Sequence, residues 1–381
     1  MRLQSFGVAV LAGSVLAHPG QDPAKEALER RDYINSVPIE RRSLKHCARH
    51  WEESGLAARN HARRAALVQN ERKKRALKKR DLEDVLEKSH NKTELGYTPE
   101  TDPDTLFSGI NSCVLTPEVT QGPYYVGGED IRDNIIETQQ GVETLLDYQV
   151  IDVDTCEPVP AAYLEMWHCN STGIYSGVNA DGNGDSSDLT NIDKTFLRGI
   201  QETSEDGVAG FTSIFPGHYT SRATHIHVLI HTNVTVLAND TLGNDVYASH
   251  VGQTFFDQNL IDEVETLAPY NTNQQELTLN ENDSILSEET RTDGVDPVFE
   301  YTLLGDSVGD GLFAWIAFGI DTSQSQAIKP ATFRYQEGGV ENPNSGPPGG
   351  GEGEGPGQSG SGTPSGLPSS TSTPSSASSA V

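Results

Sequence analysis

Between Phe215 and His231 the chain reads Phe-Pro-Gly-His-Tyr-Thr-Ser-Arg-Ala-Thr-His-Ile-His-Val-Leu-Ile-His. A tyrosine, an arginine and four histidines fall within this short stretch. Ile226, Val228 and Ile230 alternate with His225, His227 and, after Leu229, His231. In a strand, residues two apart share a face. His225 and His227 therefore stand side by side while the apolar residues turn to a core. Two adjacent imidazoles are half of a metal site, although alone they would equally suit a polar strand face. Tyr219 lies six residues before His225, in a Pro216-Gly217 turn able to fold back over the strand. Upstream, Tyr163, Glu165 and Trp167 share one side of another strand, which leads through a turn to Tyr175. Two phenolates and two imidazoles offer hard oxygen and borderline nitrogen donors carrying two negative charges. That set suits Fe(III) better than Zn, Cu(I) or Fe(II).

The residues resemble the signature of the intradiol ring-cleaving dioxygenases, the family of catechol 1,2- and protocatechuate 3,4-dioxygenases. The matching positions are Trp167, Asn170, Gly173, Tyr175, Pro216, Gly217, Tyr219, Arg222, His225 and His227. Thr120-Gln-Gly-Pro-Tyr-Tyr125 before them and Gln253-Thr-Phe-Phe256 after them extend the likeness, which runs over residues 113–335. The resemblance implies that Tyr175, Tyr219, His225 and His227 bind a non-haem Fe(III). It implies a catechol-type substrate, cleaved with O2 between its two hydroxylated carbons to a muconate-type diacid, with no external reductant. It assigns Tyr219 as the phenolate that is released and takes up a proton. Arg222 would set its cation against charge developing on the substrate ring, and Gln253 would assist there. His168, of opposite parity to Trp167, is expected to pack rather than ligate. His231 would sit ~13 Å from His227 along the strand and is no ligand. Only Thr220 and Ser221 separate Tyr219 from Arg222, a shorter link than in the bacterial relatives, which predicts a more open substrate wall. The competing function is a non-catalytic secreted β-sandwich module that retains the scaffold. A zinc hydrolase would use histidine or carboxylate ligands with a metal-bound water, and the paired tyrosines speak against it.

The elements that must hold this site form a mainly β fold: a β-sandwich core, an N-terminal helical arm and a disordered C-terminal tail. Strands are expected at 145–153, 162–169, 208–215, 225–231, 252–256, 299–304 and 312–321, with a surface helix at 257–267. Many short strands joined by turn-rich links argue for a sandwich. Residues 1–17 carry Arg2, an apolar run from Phe6 to Leu16 and a small terminal Ala17, the form of a secretory signal peptide. The run is too short to span a bilayer, so a secreted, extracellular protein is expected.

Charge is strongly segregated. Residues 41–80 hold 14 Lys and Arg against 3 Asp and Glu, whereas residues 81–381 hold 9 against 47. The basic stretch from Ser43 to Arg80 lacks proline and reads as helix. It is either an arm lying on the acidic domain or pairing two copies into a homodimer, or a propeptide cut after Lys78-Lys-Arg80. Nucleic-acid binding does not suit an exported acidic protein. Residues 81–112 read as a connector with a short helix at 81–88. Four cysteines in an exported chain suggest two disulfides. The strand between Cys156 and Cys169 spans ~26 Å, beyond disulfide reach. Cys113 is thus expected to take one of them and Cys47 the other. The Gly/Ser/Pro-rich segment 336–381 cannot bury enough apolar surface to order itself. N-glycosylation sequons begin at Asn91, Asn170, Asn233, Asn239 and Asn282, with Asn170 the doubtful one because it lies in the motif.

Overall fold

One mixed and one antiparallel sheet face each other across a continuous apolar core in this computed structural model. The structure describes residues 41–74, 112–114 and 122–345, apart from 181, 185–186, 244, 246, 291–294 and 344, together with Arg31, Asp32, Ser36 and Pro38. The expected signal peptide, the 81–88 helix, the tail beyond 345 and the Asn91 sequon lie outside the described residues.

The arm supplies α1 (Ala48–Glu53) and α2 (Leu56–Lys74). The domain follows with β1 (Ser112–Val114), β2 (Glu143–Asp152), β3 (Tyr163–Trp167), β4 (Arg198–Glu202), β5 (Val208–Ile214), β6 (His225–His231) and β7 (His250–Phe255). Next come α3 (Gln258–Glu265), α4 (Ser284–Glu289), β8 (Glu300–Leu303) and β9 (Leu312–Ile320). Short two- to four-residue strands decorate the edges. The first sheet runs β1-β9-β2-β5, with β8 paired to the same edge of β9 as β1. The second is β7-β6-β3-β4, antiparallel throughout.

Alternation decides what each face does. Leu146, Tyr148 and Val150 of β2 meet Leu164 and Met166 of β3 and Ile226, Val228 and Ile230 of β6 inside the sandwich. The odd residues of β3 and β6 point away, so Trp167 and Leu229 join Tyr124, Tyr175 and Tyr219 in a second cluster. The site therefore grows on the outer face of the second sheet, under loops, and not in the sandwich core.

The arm occupies the outer face of the first sheet. Leu44, Cys47, Trp51 and Leu56 pack on Ile151, Val153 and Ala317, and Val68 packs on Leu304 and Phe313. The basic stretch is not one helix. It breaks at Ser54-Gly55, where Gly55 takes a φ of +71°. Charge follows the expected complementarity: Arg63 and Arg64 both pair with the buried Asp147, and Arg59 pairs with Asp206. Arg64 also lies over the Trp315 ring at 5.8 Å. Cys47 is disulfide-bonded to Cys156, and Trp51 Nε1 donates to the Cys156 carbonyl at 3.0 Å.

The second expected bridge does not form, because Cys169 is a free, buried thiol. Cys113 lies on the first sheet, in register with Phe318, while Cys169 follows β3 of the second. Stacked sheets are about 10 Å apart, which exceeds the Cα separation a disulfide tolerates.

Exposed ion pairs such as Arg59–Asp206 contribute little, so the cross-link and Trp51 must dominate the docking of the arm. The Cys47–Cys156 bridge closes a sequence separation of 109 residues, for which loop entropy gives about 3–5 kcal/mol. Replacing both cysteines by serine should lower the unfolding free energy by about that amount in a denaturant titration. An unchanged midpoint would show that the bridge adds nothing.

Candidate metal centre

Each ligand candidate is held by a different local device. Asn170 organises the turn before Tyr175: its Oδ1 accepts from Thr172 N, Thr172 Oγ1 and Ile174 N, each at 3.0 Å. Tyr175 itself is clamped at both backbone atoms. Its N–H donates to Asn183 Oδ1 at 2.7 Å, and its carbonyl accepts from Asn183 Nδ2 and Asn191 Nδ2, each at 2.8 Å. Tyr219 is carried by the Pro216-Gly217-His218 turn. His218 ties that turn down, with Nδ1 2.7 Å from Glu265 Oε1 and Nε2 3.0 Å from the Gln275 carbonyl.

The two tyrosine turns interlock through glycine. A Cβ on Gly173, whose φ is +80°, would meet the His218 carbonyl oxygen at 2.2 Å. A Cβ on Gly217 would meet the Asn170 carbonyl oxygen at 2.5 Å, and Gly217 N–H donates to that same oxygen at 3.2 Å. The glycines of both motifs thus serve one purpose: backbone meets backbone, and the phenols are brought to one place.

There Tyr175 and Tyr219 lie edge to face with centroids 5.5 Å apart. Tyr219 Oη is 3.4 Å from His225 Nε2, which is 3.1 Å from His227 Nε2. Trp167 stacks flat on His227 at 4.9 Å, fixing that ring's plane. His225 Nδ1 lies 2.6 Å from the Ala223 carbonyl, so it carries the proton there and Nε2 presents a lone pair. All four side chains are at most 4 % exposed. Tyr175 Oη is buried and, among the described residues, meets no hydrogen-bond partner of good geometry, with the Tyr219 phenol beside it.

Burial pushes both phenols well above their ordinary value. For Tyr175 the proximity of Tyr219 adds to this, and for Tyr219 the Arg222 cation partly offsets it. Neither ionises at neutral pH without a cation beside it. A buried phenol lacking a well-placed partner, set beside facing imidazole nitrogens, is the arrangement a hard, highly charged cation resolves. The donor set therefore fits a ferric ion.

Arg222 is wholly buried. Its Nε donates to Asp283 Oδ2 at 2.8 Å, and its Nη2 donates to Gln253 Oε1. Gln253 stands on β7 directly across from His227. The short Thr220-Ser221 link closes as a tight turn, bridging Tyr219 to Arg222 with Ser221 at a φ of +74°. Both flanking side chains, Tyr219 and Arg222, are buried.

Two other histidines near the site, His168 and His231, are engaged elsewhere. His168 bonds to the Cys169 carbonyl and Ser213 Oγ, and burial lowers it to about 4. His231 Nε2 is 2.8 Å from Glu165 Oε2, with Nδ1 2.7 Å from the Tyr247 carbonyl. Burial pushes the Cys169 thiol up to about 12, and its Sγ donates to the Gly217 carbonyl at 3.2 Å. Among the described residues one His/Cys/Asp/Glu group is tight enough for a metal, namely His46, Cys47 and Cys156. Both of its sulfurs are consumed by the disulfide.

Asn183, Asn191 and Asp283 were not singled out by the sequence. The two asparagines lie in a turn-rich segment where many polar residues look alike. Asp283 carried one signal, an acidic residue two positions before the apolar pair Ile285-Leu286, the pattern of a helix N-cap.

Comparison with known proteins follows this geometry. A protein-family model described as "Dioxygenase" matches residues 120–237. An intradiol ring-cleavage dioxygenase from Tetranychus urticae is 32 % identical; the match covers 55 % of this chain and 96 % of that one, with a TM-score of 0.45. Catechol 1,2-dioxygenase 1 of Acinetobacter lwoffii is 27 % identical over 137 residues, 30 % of this chain and 42 % of the relative. The chain thus spans under half the length of that curated relative. A hydroxyquinol 1,2-dioxygenase from Pseudomonas putida is 18 % identical, with 54 % of this chain and 66 % of that one covered and a TM-score of 0.34. By sequence identity and coverage, the chain belongs to the intradiol ring-cleavage dioxygenase family.

Two measurements probe the scaffold. Gly217→Ala should cost about 1–3 kcal/mol of stability by overpacking and lower iron uptake in parallel; normal uptake would mean the turns need no interlock. The His218–Glu265 contact supplies a pH signature. Burial works against the charged ring, but Glu265 and the Gln275 carbonyl outweigh it and raise the His218 pKa. Its stabilisation is therefore full below the unfolded value of about 6.5 and fades as pH rises through the higher folded value. Glu265→Gln should be less stable than the parent at low pH, and the gap should close as pH rises. A pH-independent gap would rule this out.

Proposed function

We propose that the protein is a secreted, non-haem Fe(III) intradiol dioxygenase that opens catechol-type rings with O2 to muconate-type diacids. One observation carries the reading: two buried phenols and two facing imidazole nitrogens converge beside a buried arginine. Tyr175, Tyr219, His225 and His227 would hold the ion. When bound, the ion supplies activation of a chelated ortho-diol toward dioxygen, with both oxygen atoms entering the product and no external reductant needed.

The chain's own groups do the rest. Tyr219 Oη is the proton acceptor for the diol. Its burial favours the neutral phenol, so a proton passed to Oη would stay there. Tyr175, locked by its two asparagines, stays in place. Arg222 holds a fixed positive charge beside the reacting ring, an arrangement that stabilises developing negative charge without reorganisation. Gln253 orients that cation through its side-chain oxygen. Trp167 and the surrounding aromatics keep the space dry, which strengthens each of these interactions.

The chain context is part of the proposal. Residues 1–17 would be a signal peptide, 18–112 arm and connector and 113–335 the catalytic domain; the disordered segment expected from 336 starts later, because Gly338–Glu341 pairs as a strand with Thr332–Tyr335. Asn233, Asn239 and Asn282 are exposed and open to glycosylation. Asn170 is already engaged at both side-chain atoms. No helix among the described residues is long and apolar enough to cross a membrane. Substrate and O2 are the partners expected, with a homodimer open to test by solution mass.

The visible spectrum of the iron-loaded protein decides the reading. Tyrosinate-to-iron charge transfer should colour it burgundy, anaerobic catechol should shift the band, and admission of O2 should release a muconate-type product. Tyr175→Phe or His225→Ala should abolish the colour. A protein that stays colourless with iron supplied would favour a non-catalytic module on the same scaffold.

A further inference from the structure

Asp283 immediately precedes α4, far along the chain from the ligand motifs. It is 1 % exposed, yet its carboxylate is densely bonded. Oδ1 accepts from Ile285 N and Leu286 N, both at 2.9 Å. Oδ2 accepts from Ala223 N and Arg222 Nε, both at 2.8 Å. Capping a helix needs one acceptor oxygen, which asparagine or serine provides as well. A full negative charge in so dry a place is tolerable only against a cation, and that cation is Arg222.

The guanidinium is a rigid planar fork. Fixing Nε on Asp283 and Nη2 on Gln253 therefore fixes its whole plane. Both anchors are themselves immobile. Asp283 is tied to the backbone of α4 and of Ala223, and Gln253 sits opposite His227 in the sheet. Burial would raise the Asp283 carboxyl, but Arg222 and the Leu286 and Ala223 amides outweigh it and hold the group ionised.

The geometry points to Asp283 as the positioning residue for Arg222: it orients the guanidinium toward Gln253 and the tyrosine–histidine cluster, and through it sets the rate of the ring-opening step. The effect on rate rests on the dioxygenase reading; the orientation of Arg222 does not. Asn at this position offers one acceptor oxygen where Asp offers two. It can keep the helix cap only by turning its amide N–H toward Arg222 Nε, which breaks that bond and leaves only the long 3.5 Å contact from Nη2 to the cap oxygen.

The test uses the full-length, iron-loaded chain carrying Asp283→Asn, with Asp283→Ala as the variant that also loses the cap. In Asp283→Asn, kcat for catechol should fall ~10- to 100-fold while KM and the visible band change by less than about twofold. In an Arg222→Gln background the same substitution should cause no further loss. The Arg222 Nε–H proton, identified by its absence in Arg222→Gln, should be protected from exchange in the parent and lose that protection in Asp283→Asn. Equal losses of rate in both backgrounds, or retained protection with unchanged kcat, would overturn the proposal. If the iron-loaded parent turns over no catechol, the dioxygenase reading fails, and exchange at Nε still decides the role of Asp283.

Discussion

Arg222 is a full charge with no exposure to water, and the site is shaped by the need to compensate it. An unpaired buried cation costs several kcal/mol. The chain meets this with Asp283 on one side of the guanidinium and Gln253 on the other. The same dryness holds the two neighbouring phenols neutral. Ionising them needs a cation stronger than an arginine one contact away. Under the proposed function, uptake of a metal would be coupled to release of phenolic protons, and a hard trivalent ion would compensate them better than a low-charge one.

One strand carries two incompatible demands and separates them by parity. The even positions of β6, Ile226, Val228 and Ile230, bury in the sandwich. Its odd positions carry His225 and His227 to the opposite face, with Leu229 between the site and the sheet. A slip of one residue in the pairing of β6 with β3 or β7 would exchange these faces. The tight apolar packing on one side is therefore what keeps the imidazoles on the other. The rigid register also places Gln253 across from His227 and Trp167 beside it.

Much of this was legible because it is periodic or local. The alternation at 225–231 predicted β6 to the residue, and six other strands were placed to within a few positions, but β4 (Arg198–Glu202) went unread. The motif residues brought together in space are those whose spacing first attracted notice. What escaped depends on contacts between distant segments. Nothing near Asn183 or Asn191 indicates that their amides close on Tyr175. Asp283 reads as a helix cap, and its partner lies 61 residues away. Cys47 and Cys156 are separated by 109 residues, and the expected partner for Cys169 stands on the wrong sheet. The basic stretch read as unbroken helix because propensity ignores a glycine that has a turn to make at Gly55.

Arm and site lie against opposite sheets, which separates stability from chemistry in this molecule. Trp51, the disulfide and the arginines that converge on Asp147 all engage the first sheet or the turn that follows β2. The phenols, imidazoles and Arg222 sit on the far side of the second. The sandwich between them is a continuous apolar core. The basic charge of the arm is thus spent locally, on an acidic surface that complements it.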